Sequence, residues 1–259
     1  DIRSMTQFSL EICAYSAESV ARAAQAGAHR VELCAGRLEG GTTPSKGLLS
    51  QAMKVKAIEV YPILRPRGGD FCYSDAEFEE MLIDLKLFRE MGVLGFVTGI
   101  LLPNGQFDME RMELLKQHAG SLNFCVHRAI DMCSNSLQSF EELIELGVKR
   151  VLSSGRKNTA IEGIANLEQM QHLFGNRIEI MAGSGVNEHN AEALWNAGIR
   201  NFHASAIGNE PSPMRYKNTD IRMGKEGDVD EFARYHSDTA KMEALKKTLL
   251  AKETGFQKQ

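Results

Sequence analysis

The chain has 259 residues, 43% hydrophobic and 25% charged, with 34 acids against 30 bases and a net charge of -4. That balance gives no electrostatic reason to expect a nucleic acid or an anionic membrane as partner, and no run approaches the ~18 apolar residues of a membrane span. The length suits one large α/β domain, and the five scattered cysteines (Cys13, Cys34, Cys72, Cys125, Cys133) read as reduced thiols in a cytoplasmic setting. There is no CxxC or His-rich zinc pattern, and the twelve methionines form no close run, so they read as core filler. Asp1-Ile2-Arg3-Ser4 ahead of Met5 reads as a cloning remnant; residues 5–259 are expected to form a single domain.

Short aliphatic runs alternate with longer stretches of helical period. Residues 8–13 read as a strand and 16–26 as a helix, with Ser16 as N-cap and Gly27 as its stop. Residues 30–34 are the next strand; a Gly-rich loop over 35–45 and a helix over 46–57 follow. Residues 59–65 read as a strand and 75–90 as an amphipathic helix introduced by Ser74; 95–101 is a strand and 108–119 a helix. The second half repeats the rhythm, with strands at 122–127, 150–153, 177–181 and 201–204 and helices at 136–146, 159–174 and 188–197. An irregular stretch over 205–228 precedes a closing helix over 231–251.

Four helix exits carry one device, a glycine followed directly by a strand: Gly27, Gly92, Gly147 and Gly198. It falls before every second strand. Eight βα units marked in this way fit a closed (β/α)8 TIM barrel better than an open sheet whose strand order reverses midway.

In such a barrel the site lies at the C-terminal ends of the strands, and unusual residues collect there. Leu10-Glu11-Ile12-Cys13 and Arg30-Val31-Glu32-Leu33-Cys34 each set an acid and a thiol on one strand face. Cys13 and Cys34, at equivalent positions of neighbouring strands, could share a soft ion such as Cu(I); the plain alternative is two buried thiols acting as small hydrophobes. The loop Gly183-Ser184-Gly185 after the seventh strand, with Ser205 and the basic Arg215 and Lys217, stands where barrels often hold a phosphate, although a tight turn needs glycine in any case. A third group, Glu11, Glu32, Arg65, Arg67, Asp70, His127, Arg128 and Asp131, suits acid-base chemistry or anion recognition, or else a satisfied ion-pair network filling the barrel.

Arg65-Pro66-Arg67-Gly68-Gly69-Asp70-Phe71, together with Glu39-Gly40-Gly41-Thr42-Thr43-Pro44-Ser45, Val31-Glu32-Leu33-Cys34 and His127-Arg128-Ala129-Ile130-Asp131-Met132, resembles the CutC family, named for copper homeostasis. The match runs from about Leu10 to Tyr216; Ile130 stands where the family usually has Phe. The resemblance implies a cytoplasmic, often oligomeric TIM barrel linked to copper tolerance and Cu(I) binding, with the proposed copper thiols falling on Cys13 and Cys34. The first expectation is therefore a copper homeostasis protein, a homodimer or higher homo-oligomer that binds Cu(I) through those thiolates. The second is a barrel enzyme acting on a small anionic or phosphorylated metabolite. In that case Arg65, Arg67, Arg128, Gly183, Ser184, Gly185 and Ser205 would hold the anion, and Glu11, Glu32, His127 or Asp131 would move protons.

Overall fold

A computed structural model describes residues 7–221 and 230–256. Eight short strands build the main sheet: β1 (Ser9–Ala14), β2 (Arg30–Leu33), β3 (Glu59–Pro62), β4 (Gly95–Thr98), β5 (Asn123–Val126), β6 (Arg150–Ser153), β7 (Glu179–Ala182) and β8 (Asn201–Ala204). They run in the order β3-β2-β1-β8-β7-β6-β5-β4, with parallel pairing at every ladder. At the remaining seam Ile63 bridges Val97 in parallel, and the Leu64 N–H donates to the Val97 carbonyl at 2.7 Å. The sheet thus curls round into the expected (β/α)8 barrel.

The helices that follow the strands are α1 (Ala17–Gln25), α2 (Lys46–Ala52), α3 (Asp75–Met91), α4 (Met109–Ala119), α5 (Ala129–Met132), α6 (Ser136–Glu145), α7 (Ile164–Phe174) and α8 (Ala191–Asn196). Local chemistry fixes where several begin. Ser16, Ser45, Asp108 and Asn135 each accept a first-turn N–H, and Ser74 forms a full capping box with Glu77. Gly27, Gly92, Gly147 and Gly198 take φ of +75°, +74°, +81° and +85°. A side chain is strained in that left-handed region, so the repeated glycine is what turns each helix straight into the next strand.

Alternation along the strands sorts the side chains into two layers. Leu10, Ile12, Val31, Leu33, Phe96, Phe124, Val151, Ile180 and Phe202 face the helices and form, with them, the main apolar core. The barrel interior is polar. Arg30 pairs with Glu11 and Arg150 with Glu179; the Arg30 guanidinium lies 5.1 Å from the Tyr61 ring centre, and Asn123 Nδ2 donates to Tyr61 Oη at 2.9 Å. A network of ion pairs and hydrogen bonds therefore fills the lower barrel, with only Arg150 Nε, of the atoms in these pairs, left without a partner.

Several boundaries depart from the sequence reading. The stretch 205–228 is not wholly irregular: β9 (Ile207–Pro211) pairs antiparallel with β10 (Ala233–Ser237). The closing helix α9 (Thr239–Phe256) starts eight residues later than the expected start at 231. Contacts distant in sequence decide this. The Ser237 N–H donates to Ser19 Oγ at 3.0 Å, Arg22 Nη1 lies 2.7 Å from His236 Nδ1, and Arg37 stacks 3.9 Å above the Tyr235 ring, so the hairpin is docked against α1 and its neighbouring loop. α2 stops at Ala52, and α7 begins only at Ile164. The short α5 was not anticipated. Residues 1–4 and 222–228 lie outside the described residues.

Candidate functional site

The C-terminal ends of the strands surround a cavity of about 300 Å³, lined among others by Cys13, Glu32, Arg65, His127, Ser184 and His203. Cys13 and Cys34 are not level with each other: the ladder sets Cys13 beside Glu32, with Cys34 two residues further along. Their sulfurs nevertheless lie 3.7 Å apart, because the tilt of the strands brings successive inward positions together. Ile63 and Tyr15 pack around the pair.

β8 adds the group that completes this corner. His203 Nδ1 lies 2.8 Å from Glu11 Oε1, and its Nε2 lies 3.8 Å from Glu32 Oε2. One ligand atom each from Cys13, Glu32 and His203 falls within 4.8 Å of the others. His203 lies at the end of the eighth strand, but sequence reasoning gave it no role. The usable signal was alternation: Asn201, His203 and Ser205 share the inward face of β8.

The charges of this corner are strongly coupled. The hydrogen bond from Cys34, opposed by burial and reinforced by His203, brings the Cys13 thiol down to about 5. Burial, and then the neighbouring Cys13, push Cys34 well above the usual thiol value. His203 is pulled down by burial, yet Cys13, Glu11 and Glu32 together hold it well above an ordinary imidazole. Burial raises Glu32 to about 8 against the opposing charge of His203. Glu11 loses stability as an anion through burial but is held below the carboxylate range, chiefly by the Arg30 charge. The corner therefore carries a Cys13 thiolate beside a His203 imidazolium, with Glu32 protonated at neutral pH.

Across the mouth, His127 is 4% exposed and its ring lies 4.6 Å from that of Phe71. Burial, then the Arg65 charge, lower it to about 3, so it is neutral. Arg65 is 5% exposed. Its Nη1 donates to the carbonyls of Glu39 and Gly41 at 2.7 and 2.6 Å, and its Nη2 to that of Gly69 at 2.9 Å. Its neighbours differ. Arg67 pairs with Glu77 at 2.5 Å and Asp70 at 3.1 Å, and Arg128 pairs with Asp131 at 2.9 Å, whereas Arg65 has no ion pair among the described residues.

The other expected residues divide. Arg128, Ser184, Gly185 and Ser205 line the mouth; Arg67, Asp131 and Gly183 are not among its lining residues. Asp131 accepts from Ser153 Oγ at 2.6 Å, Ser154 N at 3.0 Å and Arg156 N at 3.1 Å, so it binds the β6 loop together. Gly183-Ser184-Gly185 does not lead directly into a helix, since α8 starts only at Ala191. Ser184 Oγ already donates to the Asn158 carbonyl at 2.6 Å. Arg215 and Lys217 are exposed and absent from the lining.

No helix among the described residues is long and apolar enough to cross a membrane. Comparison with known proteins agrees with this architecture. The fold is shared with thiamine phosphate pyrophosphorylase from Pyrococcus furiosus, at 14% identity and TM-score 0.58 over 97% of this chain and 98% of that one. It is shared also with the sialic acid aldolase of Ruminococcus gnavus, at 12% identity and TM-score 0.59 over 78% and 69%. A crystal structure from Streptococcus agalactiae that carries the name copper homeostasis protein CutC is 34% identical, with TM-score 0.73 over 76% of this chain and 98% of that one. The sequence profile of the CutC family matches residues 8–208, a span that holds all eight barrel strands, both thiols and His203, and this chain belongs to the CutC family.

Proposed function

We propose that this protein serves copper homeostasis by binding Cu(I) at the barrel mouth, with Cys13 and Cys34 as thiolate ligands and His203 Nε2 as the third donor. The observation that carries the reading is the 3.7 Å approach of the two sulfurs, one of which, Cys13, lies within ligand range of His203 and Glu32. The donor set has the right chemistry, since thiolate and imidazole suit a soft monovalent copper better than carboxylates do. The surroundings support it. Glu11 accepts from His203 Nδ1, the carboxylate-histidine arrangement that fixes the ring, so that Nε2 ligates once the metal displaces its proton. All five cysteines are free, in keeping with the reducing cytoplasm that the reading assumes. Anaerobic Cu(I) titration against a competing chelator tests it: one ion per chain is expected, lost in the Cys13→Ser, Cys34→Ser double variant. Undiminished binding by that variant overturns the reading.

A second reading has its own support. Arg65 is buried without a counter-ion among the described residues and lines a cavity larger than an ion needs. This favours a small anionic metabolite in the mouth, bound or turned over there. Binding of simple anions, followed by calorimetry on wild-type protein and an Arg65 variant, tests it, and indifference of the wild type to all of them removes it.

A further inference from the structure

Three polar atoms at the mouth are buried with no hydrogen-bond partner: Arg65 Nε, His127 Nε2 and Glu32 Oε1. All three belong to residues that line the one cavity. A buried polar atom left alone costs free energy that a bound group would restore, so their shared position describes a ligand.

The chemistry of each atom can be read from its other bonds. The backbone N–H of Ala129 donates to His127 Nδ1 at 3.2 Å, which leaves Nδ1 as the acceptor. The ring hydrogen of the neutral imidazole is therefore on Nε2, and that atom is a donor. Phe71 holds both donors in place: its ring packs against His127 at 4.6 Å and under the Arg65 guanidinium at 5.2 Å. Arg65 gives both Nη1 hydrogens and one Nη2 hydrogen to the carbonyls of Glu39, Gly41 and Gly69, which leaves Nε as its one nitrogen with no partner. A fixed positive charge and a neutral N–H that both pack against one ring and line one cavity suit the two oxygens of a carboxylate.

The size of the charge argues against phosphate. Arg65 brings one uncompensated positive charge, because Arg128 is paired with Asp131. The loop bearing Ser184 offers no long helix N-terminus, and that hydroxyl is already committed to Asn158. Glu32 Oε1 remains on the other side. A hydroxyl both donates and accepts, so it satisfies that oxygen whether or not the carboxyl holds its proton.

We propose that the barrel mouth binds a small hydroxymonocarboxylate, with its carboxylate on Arg65 Nε and His127 Nε2 and its hydroxyl on Glu32 Oε1. The proposal rests on the small-anion reading and narrows it to one chemical class. Glu32 also borders the thiol corner, so the test of this proposal uses copper-free protein.

The test is calorimetry with glycolate, lactate, glycerate, gluconate, acetate and inorganic phosphate, alongside NMR of protein labelled with 15N-histidine. At least one hydroxy acid is expected to bind and to move the His127 Nε2 resonance, with acetate and phosphate about tenfold or more weaker. Arg65→Met is expected to weaken binding by about tenfold or more, as loss of a buried charged partner does. Since Arg65 also ties three loop carbonyls together, its variant can misfold; His127→Asn, which keeps an N–H donor, should then retain binding that His127→Phe loses. Phosphate binding more tightly than every hydroxy acid overturns the carboxylate assignment and leaves the small-anion reading standing. No response to any anion removes both. Cu(I) uptake by the same preparation is read separately and bears only on the copper proposal.

Discussion

His203 and Glu11 meet at 2.8 Å although 192 positions separate them in the chain. Closure of the barrel sets β8 beside β1, with Glu11 and His203 as direct ladder partners. Glu11 pairs on its other side with Arg30, so one carboxylate connects the ion pairs of the barrel interior to the thiol corner of the mouth.

Glu11→Gln should therefore be costly. It leaves the Arg30 guanidinium buried without its anion, a loss of about 3–5 kcal/mol for breaking a buried pair from one side, to be read from the urea midpoint. The pH dependence follows from two opposite shifts. Glu11 is depressed, so its contribution is present above the ordinary carboxylate range and is lost as pH falls through its lowered value. His203 is raised, so its share is present below the ordinary imidazole range and is lost as pH rises through its raised value. The Glu11→Gln variant should lose the acid-side dependence and weaken the alkaline one, which Cys13 and Glu32 still support; a wild-type pH profile in the variant contradicts the coupling.

Residues 8–204 declared their architecture in sequence because the βα units are local: an aliphatic run and a helix within one window, several of the helices capped and every second strand preceded by a glycine exit. The acid and thiol of β1 and β2 were legible for the same reason, since alternation along a single strand puts Glu11 with Cys13 and Glu32 with Cys34. What escaped needed contacts between distant segments. The role of His203 depends on Glu11 across the closed sheet, and β10 is a strand only because β9 and α1 receive it. The distinction between Arg65 and Arg67, two residues apart, was also invisible. It depends on Glu77 and Asp70 reaching one guanidinium and on backbone carbonyls reaching the other.

The Cys13 thiol should titrate near pH 5, thiolate above and thiol below. Thiolate absorbance near 240 nm in the copper-free protein should thus persist at neutral pH and fall on acidification. Cys34→Ala removes the largest cause of the depression and should move the transition upward; the Cys13→Ser protein should lack it. A Cys13 transition at the ordinary thiol value would sink the assignment.

Gly95 sits at the start of β4, against the barrel interior. A β-carbon there would lie 1.9 Å from Tyr61 Cε1 and 2.6 Å from the Asn123 carbonyl oxygen. Gly95→Ala must therefore displace the Tyr61 ring at the β3 and β4 seam, at a cost of about 1–3 kcal/mol or more. Tyr61→Ala should cost stability alone yet restore part of it in the Gly95→Ala background, because the two changes share one clash. Strictly additive effects would show that the close approach is absent.

Asp131 was a candidate proton carrier, and its contacts assign it other work. Its side chain is only 5% exposed, and it accepts from Ser153 Oγ, Ser154 N, Ser154 Oγ and Arg156 N while pairing with Arg128. A carboxylate holding this many donors stabilises the loop after β6 and orients Arg128, which does line the mouth. Asp131→Asn keeps the size but replaces one acceptor oxygen with an N–H that faces donors. It should lower stability by about 1–3 kcal/mol, seen as an earlier urea midpoint, with faster amide exchange at Ser154 and Arg156. Cu(I) uptake, which depends on Cys13, Cys34 and His203, should be unchanged in the folded variant. A variant of full stability that has lost ligand or metal binding would instead return Asp131 to the chemistry of the mouth.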